Sequence, residues 1–311
     1  MAVDLKGRHF IALADFTREE LNQFLATAEL LKLRQKAGEQ VRTLEGKTLG
    51  LIFMKPSTRT RLAFEVAMRQ LGGSALFLSA NDLQLGRGET IEDTARVLSR
   101  YLDGIMIRTF AHQDVVDLAQ NSSIPVINGL TDLLHPCQIL ADLLTIMEKK
   151  GRLEAINLTY VGDGNNVAHS LLLGGAITGL NVTVATPMGY EPDGEIVNQA
   201  QALAARSGAR IGLTSDPLKG VSGADVVYTD VWTSMGQEGE EQQRLKDLEP
   251  FQVNRELMGR AAPGAVFMHC LPAHRGEEVT DEIMDGPQSV VFDQAENRLH
   301  AHKAILTLLL S

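Results

Sequence analysis

Cysteine is scarce in this chain of 311 residues, which has only Cys137 and Cys270, far apart. Two isolated thiols give neither a disulfide framework nor the paired spacing of a structural zinc site, so a reducing compartment is the default. Positive charge is in deficit, with 29 Lys and Arg against 39 Asp and Glu, a net charge of -10. That field would repel nucleic acid and anionic membranes, so neither is an expected partner, and an anion can bind only where a local pocket overrides it. Long apolar runs are missing too. The start, MAVDLKGRHFIAL, lacks the apolar stretch of a signal peptide, and LLLGGAITGL (171–180) is too short and glycine-rich to span a bilayer. These absences predict a cytoplasmic protein. Neither a low-complexity linker nor a short-period repeat interrupts the chain.

What is present is an alternation. Hydrophobic content is 44% and charged content 22%, and the length suits two ordinary domains. Short apolar runs predict strands at 47–54, 75–79, 103–108, 125–128, 156–162, 181–186, 210–214, 225–230, 265–271 and 289–293. Their hydrophobicity is continuous, as in parallel strands covered on both faces. Amphipathic patterns predict helices over 17–33, opened by a capping box from Thr17 to Glu20, over 61–71, over 135–151 with Pro136 in its first turn, and over 297–310. The alternation predicts an α/β protein, and ten strands are many for one sheet, so two doubly wound parallel sheets in two domains are expected. The break falls near 148–153, giving domains at 1–148 and 149–293.

Ligands in such folds sit beyond the carboxyl ends of strands, at helix N-termini. Four stretches occupy that position. KPSTRTR (55–61) follows the first strand, and its hydroxyls and Arg59 would cradle a phosphate at a helix start. The bland alternative is a helix cap at Ser57, with Arg59 and Arg61 solvated or paired to Glu65. Arg108 ends DGIMIR, as an anion ligand or a surface ion pair. His135 and Gln138 lie three apart at a helix start and can face one ligand. HCLP (269–272) places Cys270 at a strand end before a Leu-Pro bond that is a candidate cis peptide, although a buried inert thiol is the usual reading of such a cysteine.

Taken in order, Ser-Thr-Arg-Thr-Arg, His-Pro-x-Gln, Asp-x-Trp-x-Ser-Met-Gly (230–236) and His-Cys-Leu-Pro resemble the aspartate/ornithine carbamoyltransferase superfamily over essentially the whole chain. The first two motifs mark the superfamily, and the last two narrow it to the ornithine branch. The resemblance implies that carbamoyl phosphate and L-ornithine are the substrates, that no metal or organic cofactor takes part, and that the amine attacks directly. It implies that Ser57, Thr58, Arg59 and Thr60 hold the phosphate, that Arg108 bridges phosphate and carbonyl oxygen, and that His135 and Thr60 polarise that carbonyl. Gln138 and the carbonyl of Leu271 would take the carbamoyl NH2, with Arg298 nearby. Asn166, Asp230, Ser234 and Met235 would hold the amino acid, and Asp230 and Cys270 would lie by its amines, Cys270 without becoming a covalent nucleophile. Arg61 is expected to pair with Glu65. Gln84, in NDLQLGRGET (81–90), would reach a neighbouring subunit's carbamoyl phosphate site, which implies a homotrimer with active sites at subunit interfaces. The terminal helix, from about 294 to 311, would return to the first domain. The polar segment 236–247 reads as a closing lid or as an ordinary solvated loop. Arginine biosynthesis is the favoured role.

Three rival readings make contrary demands. A dinucleotide-binding dehydrogenase would use Gly162-x-Gly164-x-x-Val167, but the fingerprint wants Gly or Ala last and an acid ending the next strand, where NVTVATP has none. A binding protein on a decayed enzyme fold would show lesions at the motifs, and none is present. Enzymes for putrescine or an acylated ornithine would replace Ser234-Met235-Gly236. His300 and His302 lie two apart on a helix and point to different sides, and His9, His112 and His169 add no constellation, so no metal is expected.

Overall fold

Apolar β-rich runs alternate with helices because most strands are buried on both faces by the helices that connect them, the strands at 74–79 and 211–214 being more exposed. The computed structural model describes residues 3–79, 88–234, 236 and 238–311. Gln84 and Met235 lie outside the described residues. The chain divides into two compact units, Met1–Leu144 with Glu296–Ser311, and Thr145–Ala295.

The first unit begins with α1 (Arg18–Lys36), whose predicted capping box is present: Thr17 Oγ1 accepts from the Glu20 N–H and Glu20 Oε2 from the Thr17 N–H. There follow β1 (Thr48–Phe53), α2 (Thr58–Gln70), β2 (Ser74–Ser79), α3 (Ile91–Leu98), β3 (Gly104–Arg108), α4 (His112–Asn121), β4 (Val126–Leu130) and α5 (Pro136–Lys150), within which the unit boundary falls. The strands pair in parallel in the order β2-β1-β3-β4. Ile52, Ile105, Ile107 and Val126 from the strands pack with Ala95, Val115 and Leu118 from α3 and α4. Before α1, Phe10 pairs with β4 at Ile127, and the rings of Phe10, Phe16 and Phe24 meet at 5.2–5.3 Å.

The second unit continues through β5 (Asn157–Val161), α6 (Asn166–Thr178), β6 (Asn181–Ala185), α7 (Gly194–Ser207), β7 (Ile211–Thr214), α8 (Pro217–Val221), β8 (Val226–Thr229), α9 (Glu241–Leu248), α10 (Arg255–Met258), β9 (Val266–His269) and α11 (Asp281–Met284). Its order is β7-β6-β5-β8-β9, all parallel. The apolar 171–180 stretch forms most of α6, which is buried along nearly its whole length. Among the described residues no helix is long and apolar enough to cross a membrane. The last helix, α12 (Val291–Leu310), enters the first unit from Glu296 onward, and the Gly7 N–H donates to the Leu309 carbonyl at 3.0 Å.

Two expectations are corrected. The strand at 289–293 is absent: Ser289 makes one isolated bridge to Phe267, and α12 begins at Val291. The β-branched pair Val290-Val291 imitates a strand, but the helical pattern that follows propagates back through it once the chain leaves β9. The polar 236–247 segment is not an open loop either, because Glu241 onward is α9.

Each sheet has one point where strand order reverses, between β1 and β3 and between β5 and β8. Connections there diverge to opposite faces and leave a crevice beyond the carboxyl ends. Phe53 is in register with Arg108, and Val161 with Thr229. KPSTRTR and Arg108 therefore meet at the first crevice, while GDGNN (162–166) and Asp230 meet at the second.

Candidate active site

At the first crevice Ser57 is the helix cap. Its Oγ caps α2 by accepting from the Thr60 N–H at 3.3 Å, and the same turn presents Thr58 and Arg59 to solvent at the helix N-terminus. Arg61 turns away, donating to Glu65 Oε1 at 2.8 Å and lying over the Phe77 ring at 3.7 Å. Lys55 is buried, paired with Asp132 and placed over the Phe110 ring.

Thr60 is buried, and its Oγ1 accepts from Arg298 Nη2 at 3.1 Å. Arg298 Nη1 donates to Gln138 Oε1 at 2.5 Å, and Gln138 Nε2 donates to Asp142 Oδ1 at 2.9 Å. Thr60 and Gln138, 238 and 160 positions from Arg298 in sequence, thus share its guanidinium. His135, at the start of α5, and Arg108, at the end of β3, are both buried. Burial holds the His135 imidazole well below its usual range, and Arg298, Arg108, His302 and Arg59 push it further the same way. His135 is therefore a neutral N–H donor amid cations. Such a concentration of buried positive charge suits a dianion. Cys137 is the inert thiol of the pair: it donates to the Asn128 carbonyl, and burial pushes it up to about 12.

At the second crevice the Cys270 thiol donates to Asp230 Oδ1 and Asn165 Nδ2 donates to Asp230 Oδ2, each at 2.9 Å. Asn165 caps α6 through its Oδ1, which accepts from the N–H groups of Val167 and Ala168, and Asn166 is the helix's first residue. Ser234 is half-buried. The two glycines of GDG serve the turn. Gly162 has φ +135°, and a Cβ on Gly164 would stand 2.3 Å from the Pro192 nitrogen. HCLP is fixed from beneath, because His269 Nδ1 accepts from the Leu271 N–H and Nε2 faces buried Glu278 at 3.0 Å. Leu271 has φ +60°, and the Leu271–Pro272 peptide is cis. Asp230, His269 and Cys270 hold potential ligand atoms within 4.8 Å of one another, but both His269 nitrogens are engaged, which leaves a cation no imidazole lone pair.

Several residues here went unremarked in the sequence. Asn165 orients Asp230. Arg244 of α9 is buried, donating to Asp163 Oδ2 at 3.0 Å and to the Trp232 carbonyl at 3.1 Å, and it stacks over Tyr190. Burial raises Asp163 to about 6 despite that pairing. The buried Tyr160 hydroxyl and Trp232 Nε1 have no hydrogen-bond partner among the described residues. Only Asn165 carried a local signal, as an Asn before an apolar helix. The others depend on tertiary contacts.

Family models cover nearly all of the chain. Residues 8–148 match the aspartate/ornithine carbamoyltransferase carbamoyl-P binding domain, and residues 154–309 match the Asp/Orn binding domain of the same family. An ornithine carbamoyltransferase of Thermococcus kodakarensis is 61% identical over 310 residues, covering 100% of this chain and 98% of the relative. An enzyme of Pyrococcus furiosus named ornithine carbamoyltransferase, anabolic, is 59% identical with the same coverage. A solved structure of ornithine carbamoyltransferase from Pyrococcus furiosus superposes with a TM-score of 0.97 at 59% identity, covering 99% of both chains.

Proposed function

The chain belongs to the aspartate/ornithine carbamoyltransferase family, and from that premise we propose that it moves the carbamoyl group of carbamoyl phosphate to the δ-amine of L-ornithine, giving L-citrulline and phosphate. The observation that carries this reading is the Thr60–Arg298–Gln138 network, set beside a neutral His135 and buried Arg108. Those groups match what the reaction asks of a donor site. As the amine nitrogen bonds to the carbonyl carbon, charge builds on the carbonyl oxygen and then on the departing phosphate oxygen. Thr60, His135 and Arg108 donate to the first, and Ser57, Thr58, Arg59 and Arg108 stabilise the second. One such donor is worth roughly 3–4 kcal/mol. Gln138, held in place by Arg298, receives the carbamoyl NH2, and motif position gives the Leu271 carbonyl the same role. Carbamoyl phosphate is already activated, so the chemistry calls for no cofactor.

Ornithine must attack as a free amine, although an alkylammonium loses its proton only near pH 10.4. Asp230 is the acceptor that draws the amine's proton, and its two oxygens are aimed by Asn165 and Cys270. Cys270 keeps its proton on Asp230 and forms no bond to carbon. Asn166 and Ser234 grip the amino acid's other end, joined by Met235, as Gln84 joins the phosphate side, on the strength of motif position. The first unit is thus the carbamoyl phosphate domain and the second the ornithine domain.

An assembly of three subunits fits the exposed edge strand β2, where Leu76 and Phe77 face solvent, as does Leu62 of α2. A cytoplasmic place in arginine biosynthesis accords with the acidic composition and with the anabolic relative. The test is phosphate and ureido-product release from carbamoyl phosphate with ornithine, putrescine, aspartate and N-acetylornithine offered separately. Ornithine alone turns over, and Arg59→Ala loses about a hundredfold or more in kcat. Turnover with another amine in preference overturns the specificity, and none with any amine overturns the activity.

A further inference from the structure

We infer that His302 is a positioning residue for the transfer reaction, its Nε2 accepting from Arg298 Nε so that the guanidinium is fixed in orientation against Gln138 and Thr60. The inference rests on the role proposed above for Arg298. His302 is one turn beyond Arg298 on α12, at the i, i+4 spacing that brings side chains together. The imidazole receives Nε at 3.4 Å, Gln138 receives Nη1 and Thr60 receives Nη2 at 3.1 Å. A planar guanidinium held through all three nitrogens has no remaining rotation about its own chain.

The imidazole is itself held. Its ring lies over Phe64 with centroids 3.8 Å apart and planes 14° from parallel. Phe64 is one turn beyond Thr60 on α2, as His302 is beyond Arg298 on α12. The two helices thus contribute two rungs, the Arg298–Thr60 hydrogen bond and, one turn along, the His302–Phe64 stack. Movement of the ring would move the cation that aims Gln138.

Packing alone does not account for a histidine here. The side chain is fully buried, and its Nδ1 has no hydrogen-bond partner among the described residues. A leucine or phenylalanine would fill the space without stranding a polar atom. What histidine adds is a lone pair that can face an arginine. Burial and the neighbouring Arg298 hold the imidazole well below its ordinary range, so Nε2 stays free to accept. A neutral imidazole accepting at Nε2 carries its proton on Nδ1, and that N–H is the stranded group.

Two substitutions separate the acceptor from the ring. His302→Phe keeps the stack on Phe64 and removes the lone pair, and His302→Gln gives up the ring and restores an acceptor. Carbamoyl phosphate KM, ornithine KM and kcat are measured with thermal melting alongside. With the acceptor gone, carbamoyl phosphate KM rises about tenfold, while ornithine KM at saturating carbamoyl phosphate and the melting temperature stay near wild type. His302→Gln returns carbamoyl phosphate KM toward the wild-type value. Wild-type kinetics in His302→Phe, or a loss in His302→Gln at least as large as in His302→Phe, overturns the inference. If His302→Phe fails to fold, His302→Met repeats the removal, and wild-type kinetics there overturns it equally. A wild-type protein that releases no phosphate from carbamoyl phosphate with ornithine fails the functional reading instead. Active wild type with an unimpaired His302→Phe fails this inference alone.

Discussion

Replacing Arg244 with methionine removes the guanidinium that faces Asp163 and lies over Tyr190, and keeps much of the side chain's apolar stem. Asp163 titrates at about 6, against 3.8 for an ordinary aspartate, because burial outweighs the guanidinium 3.0 Å away. A folded-state value above the unfolded one stabilises the fold while the carboxyl is protonated. That contribution, about 3 kcal/mol for a gap of about two pH units, is lost as pH climbs from near 4 through 6. Without Arg244 the carboxyl titrates higher still, since its strongest lowering influence is gone. At pH 5 Asp163 is protonated in both proteins, so Arg244→Met loses only hydrogen bonds and packing, about 1–2 kcal/mol. At pH 8 the wild type holds an ionised pair and the variant a carboxyl with no partner, and the loss widens to about 3–5 kcal/mol. Calorimetric melting at pH 5, 6.5 and 8 reads this directly, at roughly 2–4 °C per kcal/mol for a unit of this size. The same substitution in an Asp163→Asn background should cost an amount independent of pH. An equal loss at pH 5 and pH 8, or a pH-dependent loss that survives Asp163→Asn, would refute the assignment of burial as the dominant cause.

Cys270→Ser keeps a donor to Asp230, so steady-state turnover should stay within about tenfold of wild type, and a loss beyond a thousandfold would argue for a thiol nucleophile. Gly164→Ala drives a Cβ against the backbone of residues 190–192, with contacts of 2.3–2.6 Å, and should cost about 1–3 kcal/mol and raise the ornithine KM. An unchanged melting temperature would show that the GDG turn moves freely. His135 and His302 are held neutral, so each contributes stability that is full above about 6.5 and is lost as pH falls below it, by up to about 1.4 kcal/mol per pH unit. Asp163 acts oppositely below about 6, so the readout is a difference: urea unfolding at pH 7, 6 and 5 should lose less stability in His302→Phe than in wild type, and parallel losses would contradict a neutral His302.

The sheet architecture could be read in the sequence because parallel strands need long apolar runs and leave turn chemistry at their ends. The motif residues fell at those ends for the same reason, which is why Arg108 and His135 lie together in the first unit, and Asp230 and Cys270 in the second, as their positions suggested. The failure at 289–293 came from two valines and a phenylalanine whose β preference is weaker than the helix that follows them. Arg244 could not have been paired in advance with Asp163, 81 residues away, since nothing local marks either partner. His302 was different. Its i, i+4 relation to Arg298 is visible in the sequence, but the i, i+2 spacing of His300 and His302 bears only on a metal, which it argues against, and not on the arginine one turn before.

The return of α12 to the first unit also orders events during synthesis. The first unit's opening 144 residues leave the ribosome long before Glu296–Ser311, with the whole second unit made in between. Until that last segment arrives, Lys32 lacks Asn297, Gly7 lacks the Leu309 carbonyl, and Thr60 and Gln138 lack the guanidinium they share. A ribosome stalled at Ala295 would hold a chain carrying both motif crevices but none of these contacts, so the last turns of polypeptide close the network that joins α2, α5 and α12.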